Sequence, residues 1–587
     1  MTLRDGIKKL FQMILTEKRL FVGSLIFMVL TTVGHLLDPI VVAHIIDNSV
    51  PNEDIKGMFI WGTTFAVIII FSGWMRYLQT IWMAKLGLKI ITELKFKVFN
   101  HLLFLPIAWF DKTPVGQLIS RVESDCERVK DLFAQVSVMM MGNILFFFGM
   151  LIVLLIRDWR VTVILLIPLT IIIVLAVIII NYLAKYYKKS RELNADITGR
   201  LTEYIQGISV VQLFNQQERA ENYINDKSHE KRMVDTKASF IEFGAWGLND
   251  LLIQTVVVII IVLAMSPKIL DGSVSIGLLV IFLQYSVRLS WPIMQISENL
   301  NQFQRAFVSL KRVFGLLDEE PESSREETCA VSESTDSLFN DKIEFQNVWF
   351  KYKEDEWVLK DVSFTIKKGS RIALVGASGS GKTTSVSLLC RFYNIQKGKI
   401  LVDGKDISDF TIEEWRKKLG LILQDIILFP GNLLENIRIY NDEISEENVL
   451  KSIDLAHAQQ LLYRMENDLT SEIKERGQNL SVGERQLIAF ARAICFDPEL
   501  IIMDEATASI DAKTENLIQN SINQVLEGKT AVIVAHRLAS VVNCDEILFF
   551  ENGEIIDRGT HEELLKTSKE YRKLVELQFM KTDTTAH

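Results

Sequence analysis

Apolar positions are distributed along this chain in two distinct ways. Before residue 305 they form six long runs, at roughly 20–46, 58–83, 132–156, 160–183, 244–266 and 276–300. The fourth is the plainest, since Val161 to Ile180 contains no charged residue. A bilayer core of ~30 Å needs about 20 apolar residues in a helix, so each run is long enough to span one. After the second and fourth runs the pattern stays helical but turns polar, as in Ile90, Leu94, Val98 and Leu102. These stretches read as helices extending well into the cytosol. From Ile343 onward, short β-rich runs alternate with helical segments and are separated by Gly or charged turns, which predicts a mixed α/β domain. The expected order is a membrane α-helical bundle over 1–317, a linker over 318–341 and a soluble domain over 342–587. The stretch Asp318 to Asn340 is rich in Glu, Ser and Thr, and too poor in large apolar residues to fold by itself.

The charges between the runs orient the bundle. The stretch after the second run carries eight Lys and Arg, the stretch after the fourth carries ten, and the other three loops carry one or two each. Basic loops stay on the cytoplasmic side. Both termini and both long loops are therefore expected in the cytosol, with the chain in the cytoplasmic (inner) membrane. Leu3, Ile7, Leu10, Phe11 and Ile14 recur at helical spacing among Arg4, Lys8, Lys9, Lys18 and Arg19. That is an amphipathic helix lying on the membrane surface, or else packed against other protein. No cleavable signal peptide is visible.

Composition agrees with two unlike halves. Hydrophobic residues make up 49% of 587 and mean hydropathy is +0.21, yet 23% of residues are charged. The net charge of −9 argues against nucleic acid as a partner, because that affinity comes from Lys and Arg on phosphates. Cys126, Cys329, Cys390, Cys495 and Cys544 are scattered without metal-ligand spacing, and all five are expected as free cytosolic thiols.

One segment carries chemistry outright. Strand-like Arg371–Val375 leads into Gly376-Ala377-Ser378-Gly379-Ser380-Gly381-Lys382-Thr383-Thr384 and then a helix. This is G-x-x-x-x-G-K-[ST] in its strand–loop–helix setting. The glycines let backbone N–H groups curl around phosphate oxygens, and the helix N-terminus adds positive potential. Lys382 suits the β and γ oxygens, and the Thr383 hydroxyl suits Mg²⁺. A second element, Leu500-Ile501-Ile502-Met503-Asp504-Glu505, reads as a buried strand delivering two carboxylates at its end. Asp504 suits Mg²⁺, directly or through water, and Glu505 is placed to polarise an attacking water as a general base.

With these elements in order, the soluble domain resembles the nucleotide-binding domain of ATP-binding-cassette transporters. Leu480-Ser481-Val482-Gly483-Glu484-Arg485-Gln486 is similar to that family's L-S-G-G-Q signature. Gln424 matches its glutamine loop, which implies a part for Gln424 in catalysis and at the metal. His536 matches its switch histidine, and Ala508-Ser509-Ile510-Asp511 the loop after the catalytic Glu. Tyr352 sits where the family stacks an aromatic ring on adenine. The resemblance implies a P-loop ATPase cassette that uses ATP and Mg²⁺. Six spans before one cassette resemble a half-transporter of the exporter branch. Phe110–Arg121 and Gly207–Phe214 are similar to the exporter loops that carry short coupling helices.

The resemblance also implies a partner, since ATP in this family lies between one phosphate loop and the signature of the opposite cassette. Ser481 and Gly483 would then serve a second chain. Two departures bear on which chain. Val482 replaces the first glycine of the G-G pair and crowds a helix N-terminus that must approach phosphate. Glu484 replaces the glutamine and sets a negative charge there, which costs binding unless a cation compensates. With Lys382, Glu505 and His536 intact, the expectation is a heterodimer with a second half-transporter bearing the better signature. A homodimer is the alternative. The expected function is ATP-driven export of hydrophobic or amphipathic compounds across the cytoplasmic membrane by alternating access. A lipid flippase with the same machinery and an ATP-gated channel or regulatory subunit are the alternatives. His35, Asp38, His44, Arg76, Asp250 and Arg288 are the ionisable residues expected inside spans, and so the candidates for cargo contact. Phe146–Phe148 could line an apolar cavity.

Overall fold

The computed structural model describes residues 13–584 without 14, 132–137, 323–338, 354–355, 467, 505–520, 523 and 536–540. At 138–139, 176, 249, 253, 290–301 and 577–584 it describes the backbone only. Contacts divide the chain into two units, one of Met1–His101 with Val115–Glu319 and one of Leu102–Pro114 with Glu320–His587.

The described residues of the first unit form helices joined by short turns. Its elements are α1 (Lys18–His44), α2 (Ile55–Leu103, ending in the second unit), then, after a short helix α3 (Ile107–Phe110) of the second unit, α4 (Val138–Arg157) and α5 (Trp159–Gln206). They continue as α6 (Ile208–Leu213), α7 (Gln217–Leu251), α8 (Val258–Leu270) and α9 (Ile276–Leu317). Among the described residues, four helices are long and apolar enough to cross a membrane, at Lys18–Ser49, Ile55–Leu103, Met140–Arg157 and Trp159–Gln206. The apolar stretches expected as spans five and six are shorter among the described residues, Gln254–Leu270 and Ile276–Leu289. The fifth is also broken by a π-helical turn, Leu252–Val257.

The helices do run past the bilayer. The 48 residues of α5 make a rod of about 72 Å, more than twice a hydrocarbon core. Outside the apolar part of α5, polar side chains hold α7: Tyr187 donates to Glu242 at 2.7 Å, and Lys189 meets Glu230 at 3.2 Å. Burial and the Glu242 carboxylate push the Tyr187 hydroxyl up to about 12. At the other end of the bundle Asp158 caps α5, accepting from Val161 N–H at 3.2 Å, and pairs with Lys268 of α8. Between these levels Met150, Leu154, Leu165, Ile261, Phe282 and Tyr285 form one buried cluster.

The second unit holds the α/β fold. Its strands are β1 (Lys342–Phe350), β2 (Leu359–Lys367), β3 (Arg371–Gly376), β4 (Lys397–Val402), β5 (Lys405–Asp406) and β6 (Leu419–Ile422). There follow β7 (Gly431–Asn432), β8 (Glu472–Ile473), β9 (Leu500–Asp504), β10 (Thr530–Val534), β11 (Glu546–Glu551) and β12 (Glu554–Gly559). The antiparallel sheet β2-β1-β4-β5 lies beside a six-stranded sheet of order β12-β11-β3-β10-β9-β6. Within the latter, β11, β3, β10, β9 and β6 run parallel, and β12 closes one edge antiparallel. All five residues of β9 and of β10 are buried, which is why both read as unbroken apolar runs. Two helices bear on the site: α10 (Lys382–Leu389) and α11 (Val482–Cys495). Cys126, Cys390 and Cys495 are free thiols, and burial raises Cys390 to about 12. Cys329 and the N-terminal residues 1–12 lie outside the described residues.

Candidate functional site

The site gathers at the carboxyl ends of the parallel strands, where loops leave a buried sheet. Strand β3 ends at Gly376, whose φ is +152°. A Cβ there would meet the Phe550 carbonyl oxygen at 2.1 Å, so the neighbouring strand enforces glycine at the mouth of the loop. Gly381 closes the loop at φ +108° and stands at the N-cap of α10. Ser378 and Gly379 are exposed at the tip, while Ser380 is buried. Lys382 turns its ammonium back onto the loop, donating to the carbonyls of Gly376 and Ala377 at 2.8 Å each. Burial holds that ammonium below the ordinary lysine range, an effect that Asp504 partly opposes.

Strand register brings the acidic element to the same place. Val534 pairs with both Leu374 and Asp504, and Met503 pairs with Ile422. Thr383 donates its hydroxyl to Asp504 Oδ2 at 3.2 Å. The other oxygen, Oδ1, is buried and has no hydrogen-bond partner among the described residues. A buried carboxylate oxygen without a donor is costly, and a cation satisfies it. One carboxylate and one hydroxyl are the oxygen donors that Mg²⁺ takes alongside phosphate and water, so these residues fit that ion. No group of three or more His, Cys, Asp or Glu placed to hold a metal ion exists among the described residues. Gln424 follows β6 by two residues and is exposed at the same sheet end as Asp504. Glu505, His536 and Ala508–Asp511 lie outside the described residues.

Tyr352 stands beside the phosphate loop, its hydroxyl donating to Thr384 Oγ1 at 3.2 Å. Its ring packs edge-on against Phe350 and Tyr393, with centroids at 4.8 and 5.0 Å. The residue is 45% exposed.

The signature segment forms the start of α11. Ser481 is its N-cap, accepting from Glu484 N–H at 3.2 Å, and Glu484 Oε2 accepts from Ser481 N–H at 2.7 Å. This reciprocal pair is a capping box, legible as Ser-x-x-Glu. Gly483 is buried and Val482 is 45% exposed. Glu484 Oε1 meets Arg464 Nε at 2.9 Å. The compensating cation that Glu484 demands is therefore present. Sequence reasoning missed Arg464, because it ends a separate short helix, Gln459–Arg464, and no periodic signal connects that helix to Glu484.

The ionisable residues of the spans are paired rather than free. Arg288 meets Asp38 at 3.5 Å and donates to the His35 carbonyl at 3.2 Å. His44 packs at a tilt against Trp61 and bonds Asn48, and Asp250 accepts from Gln254. Arg76 is exposed and has no such partner among the described residues, and Phe147 packs edge-on against Phe148.

Residues 21–293 match a family model described as the ABC transporter transmembrane region, and residues 359–508 match one described as ABC transporter. The chain is 35% identical over 534 residues to the probable multidrug resistance ABC transporter ATP-binding/permease protein YheH of Bacillus subtilis, covering 89% of this chain and 77% of that one. It is 32% identical over 560 residues to the putative ABC transporter ATP-binding protein exp8 of Streptococcus pneumoniae, covering 94% of each. It is 28% identical over 561 residues to the ATP-dependent lipid A-core flippase of Mannheimia succiniciproducens, covering 95% and 94%.

Proposed function

Because this chain belongs to the ABC transporter family, we propose that it is one half of an exporter carrying amphipathic or hydrophobic compounds out across the cytoplasmic membrane. It is an ATPase whose turnover is coupled to transmembrane transport. The observation that carries the reading is the pairing of Thr383 with Asp504 at 3.2 Å beside the loop that holds Lys382.

The residues divide the work by position. Lys382 exchanges its bonds to the Gly376 and Ala377 carbonyls for β and γ oxygens of ATP, while the backbone from Ser378 to Thr384 cradles the phosphates. Thr383 and Asp504, with Gln424 at the rim, would hold Mg²⁺, which would neutralise charge on the phosphate oxygens. Tyr352 stacks on adenine. Glu505 orients and deprotonates the attacking water, and His536 contacts the γ-phosphate. ATP drives the cycle only by preferring the closed pair of cassettes to the open one.

The working unit is a pair of such chains, with Ser481 and Gly483 of each facing the other's nucleotide. The exposed Ile208, Val210, Leu213 and Phe214 of α6 and its end support this, because apolar surface of that kind is covered in assemblies. A heterodimer remains the favoured pairing. Arg464 answers the charge objection to this signature, so that preference now rests on the bulk of Val482. Both termini lie in the cytosol in this reading.

The test is ATPase activity in lipid, for the chain alone and with a coexpressed second half-transporter, against drugs, phospholipids and peptides. Stimulation by amphipathic drugs supports the exporter, and stimulation by phospholipid alone replaces it with a flippase. Robust stimulated turnover from a homogeneous dimer of this chain rejects the heterodimer. Passive, unsaturable flux with ATP bound but not split would make it a channel.

A further inference from the structure

The linker expected over 318–341 is fastened to the cassette near both of its ends. Close to its start, the Glu322 carboxylate accepts from Arg416 twice, from Nη1 at 2.9 Å and from Nη2 at 2.8 Å. The two side chains are mostly covered, Glu322 at 17% and Arg416 at 29% exposure, so this two-pronged pair is stronger than an ordinary surface one. Arg416 is itself held in place. Its Nε donates to the Cys390 carbonyl at 3.1 Å and its Nη2 to the Arg391 carbonyl at 2.8 Å, and its guanidinium lies over the Phe392 ring. Those carbonyls follow the last turn of α10, and the neighbouring Trp415 donates to the Leu389 carbonyl at 2.7 Å. The start of the linker is thus clipped to the far end of the helix that begins at Lys382. At the other end of the linker, the Asp403 carboxylate accepts the N–H groups of Asn340, Asp341 and Lys342 at 2.6, 2.9 and 2.8 Å. All of these residues lie in the second unit.

We infer that Glu322 and Arg416 are positioning residues that shorten the working tether of the cassette to four residues. Helix α9 ends at Leu317, and only Asp318 to Pro321 separate it from the clip. The stretch from Glu322 to Asn340 begins and ends on the same cassette, so it closes a loop and carries no pull. Without the clip, the cassette would hang on the whole stretch from Asp318 to Asp341, which is 24 residues. The effective concentration of a tethered module falls roughly as the −3/2 power of tether length, so opening the clip lowers it on the order of tenfold. The inference rests on the reading that ATP closes a pair of cassettes. Two ATP molecules share each closure, so the ATP needed should rise as the square root of that loss, about threefold.

The experiment uses the full chain in lipid, with its partner where one is needed, in a Glu505→Gln background so that ATP persists. Crosslinking across the cassettes reads closure as ATP is raised. Glu322→Ala should raise the ATP needed for half-closure about threefold. It should leave ADP affinity within about twofold, which a general loss of folding would not do. A flexible insert of about 40 Gly and Ser residues between Ser332 and Glu333 tells a tether from a packing contact. With Glu322 intact the insert lies inside the closed loop and should leave closure unchanged. In Glu322→Ala the same insert lengthens the tether and should raise the ATP needed about twofold more. The inference is overturned by an insert that shifts closure while Glu322 is intact, by one with no further effect in Glu322→Ala, or by a Glu322→Ala curve that overlays its parent. Absence of any ATP-dependent crosslink in the parent overturns instead the reading on which it rests.

Discussion

Arg464 Nε lies 2.9 Å from Glu484 Oε1, and the second oxygen of that carboxylate accepts from Ser481 N–H at 2.7 Å. Both oxygens of the acidic residue in the signature are thereby committed within its own cassette. A glutamine can make the same cap through its amide oxygen but needs no cation. Arg464→Gln should therefore weaken ATP-driven closure of the cassettes by about twofold to fivefold, since an exposed partner limits the pair's worth. Adding Glu484→Gln should restore it. Closure measured by crosslinking across the cassettes checks this, and failure of the second substitution to rescue would assign Arg464 a different role.

Turnover and binding should separate at the phosphate site. Glu505→Gln is expected to retain ATP binding and slow hydrolysis about a hundredfold or more, the loss of a general base. Lys382→Ala is expected to weaken ATP itself, by about tenfold or more, since it removes charged donors. Equilibrium binding and steady-state hydrolysis on both variants decide it. Near-normal turnover in the Glu505 variant would reject its assignment.

Burial of Lys382 sets a pH dependence. Its ammonium titrates below the ordinary 10.5 when the site holds no nucleotide. The unfolded chain then binds more protons than the folded one between the lowered value and 10.5, so stability without nucleotide rises with pH across that window. Phosphate oxygens favour the ammonium, so ATP binding takes up a proton there and affinity falls as pH rises through the lowered value. Titrating ATP affinity against alkaline pH should show the decline before 10.5. In Lys382→Arg, charged at all these pH values, the decline should vanish. Its persistence would place the titrating group elsewhere.

Within the membrane part, Asp38 is held between α1 and α9 by Arg288 at 3.5 Å. Arg288→Met leaves the buried carboxylate with only His35, at 3.6 Å, and should cost about 3 kcal/mol. Asp38→Asn in the same chain should recover most of it. Thermal unfolding in detergent measures both. Equal loss in the single and double variants would mean the guanidinium matters for packing and not for charge.

Legibility followed the range of the interactions. The phosphate loop, the buried strand ending at Asp504 and the cap at Ser481 are each written in one short consecutive run, and each folds as its pattern states. The helical extensions were legible because α2 and α5 keep one period across the membrane boundary. What was hidden lies across long separations. Arg464 beside Glu484, Tyr393 beside Asp111 and Arg288 beside Asp38 depend on topology, and an arginine or tyrosine alone carries no periodic signal. The π-helical turn at Leu252–Val257 in the fifth apolar run was not read from the sequence.

The central claim is that ATP hydrolysis on this chain drives cargo across the membrane. Inside-out vesicles carrying the chain, with its partner where one is needed, should be given a fluorescent amphipathic dye. Accumulation of dye should require ATP, saturate with dye concentration and fall to background in both Lys382→Ala and Glu505→Gln. Accumulation without ATP, or at an unchanged rate in those two variants, would contradict the account.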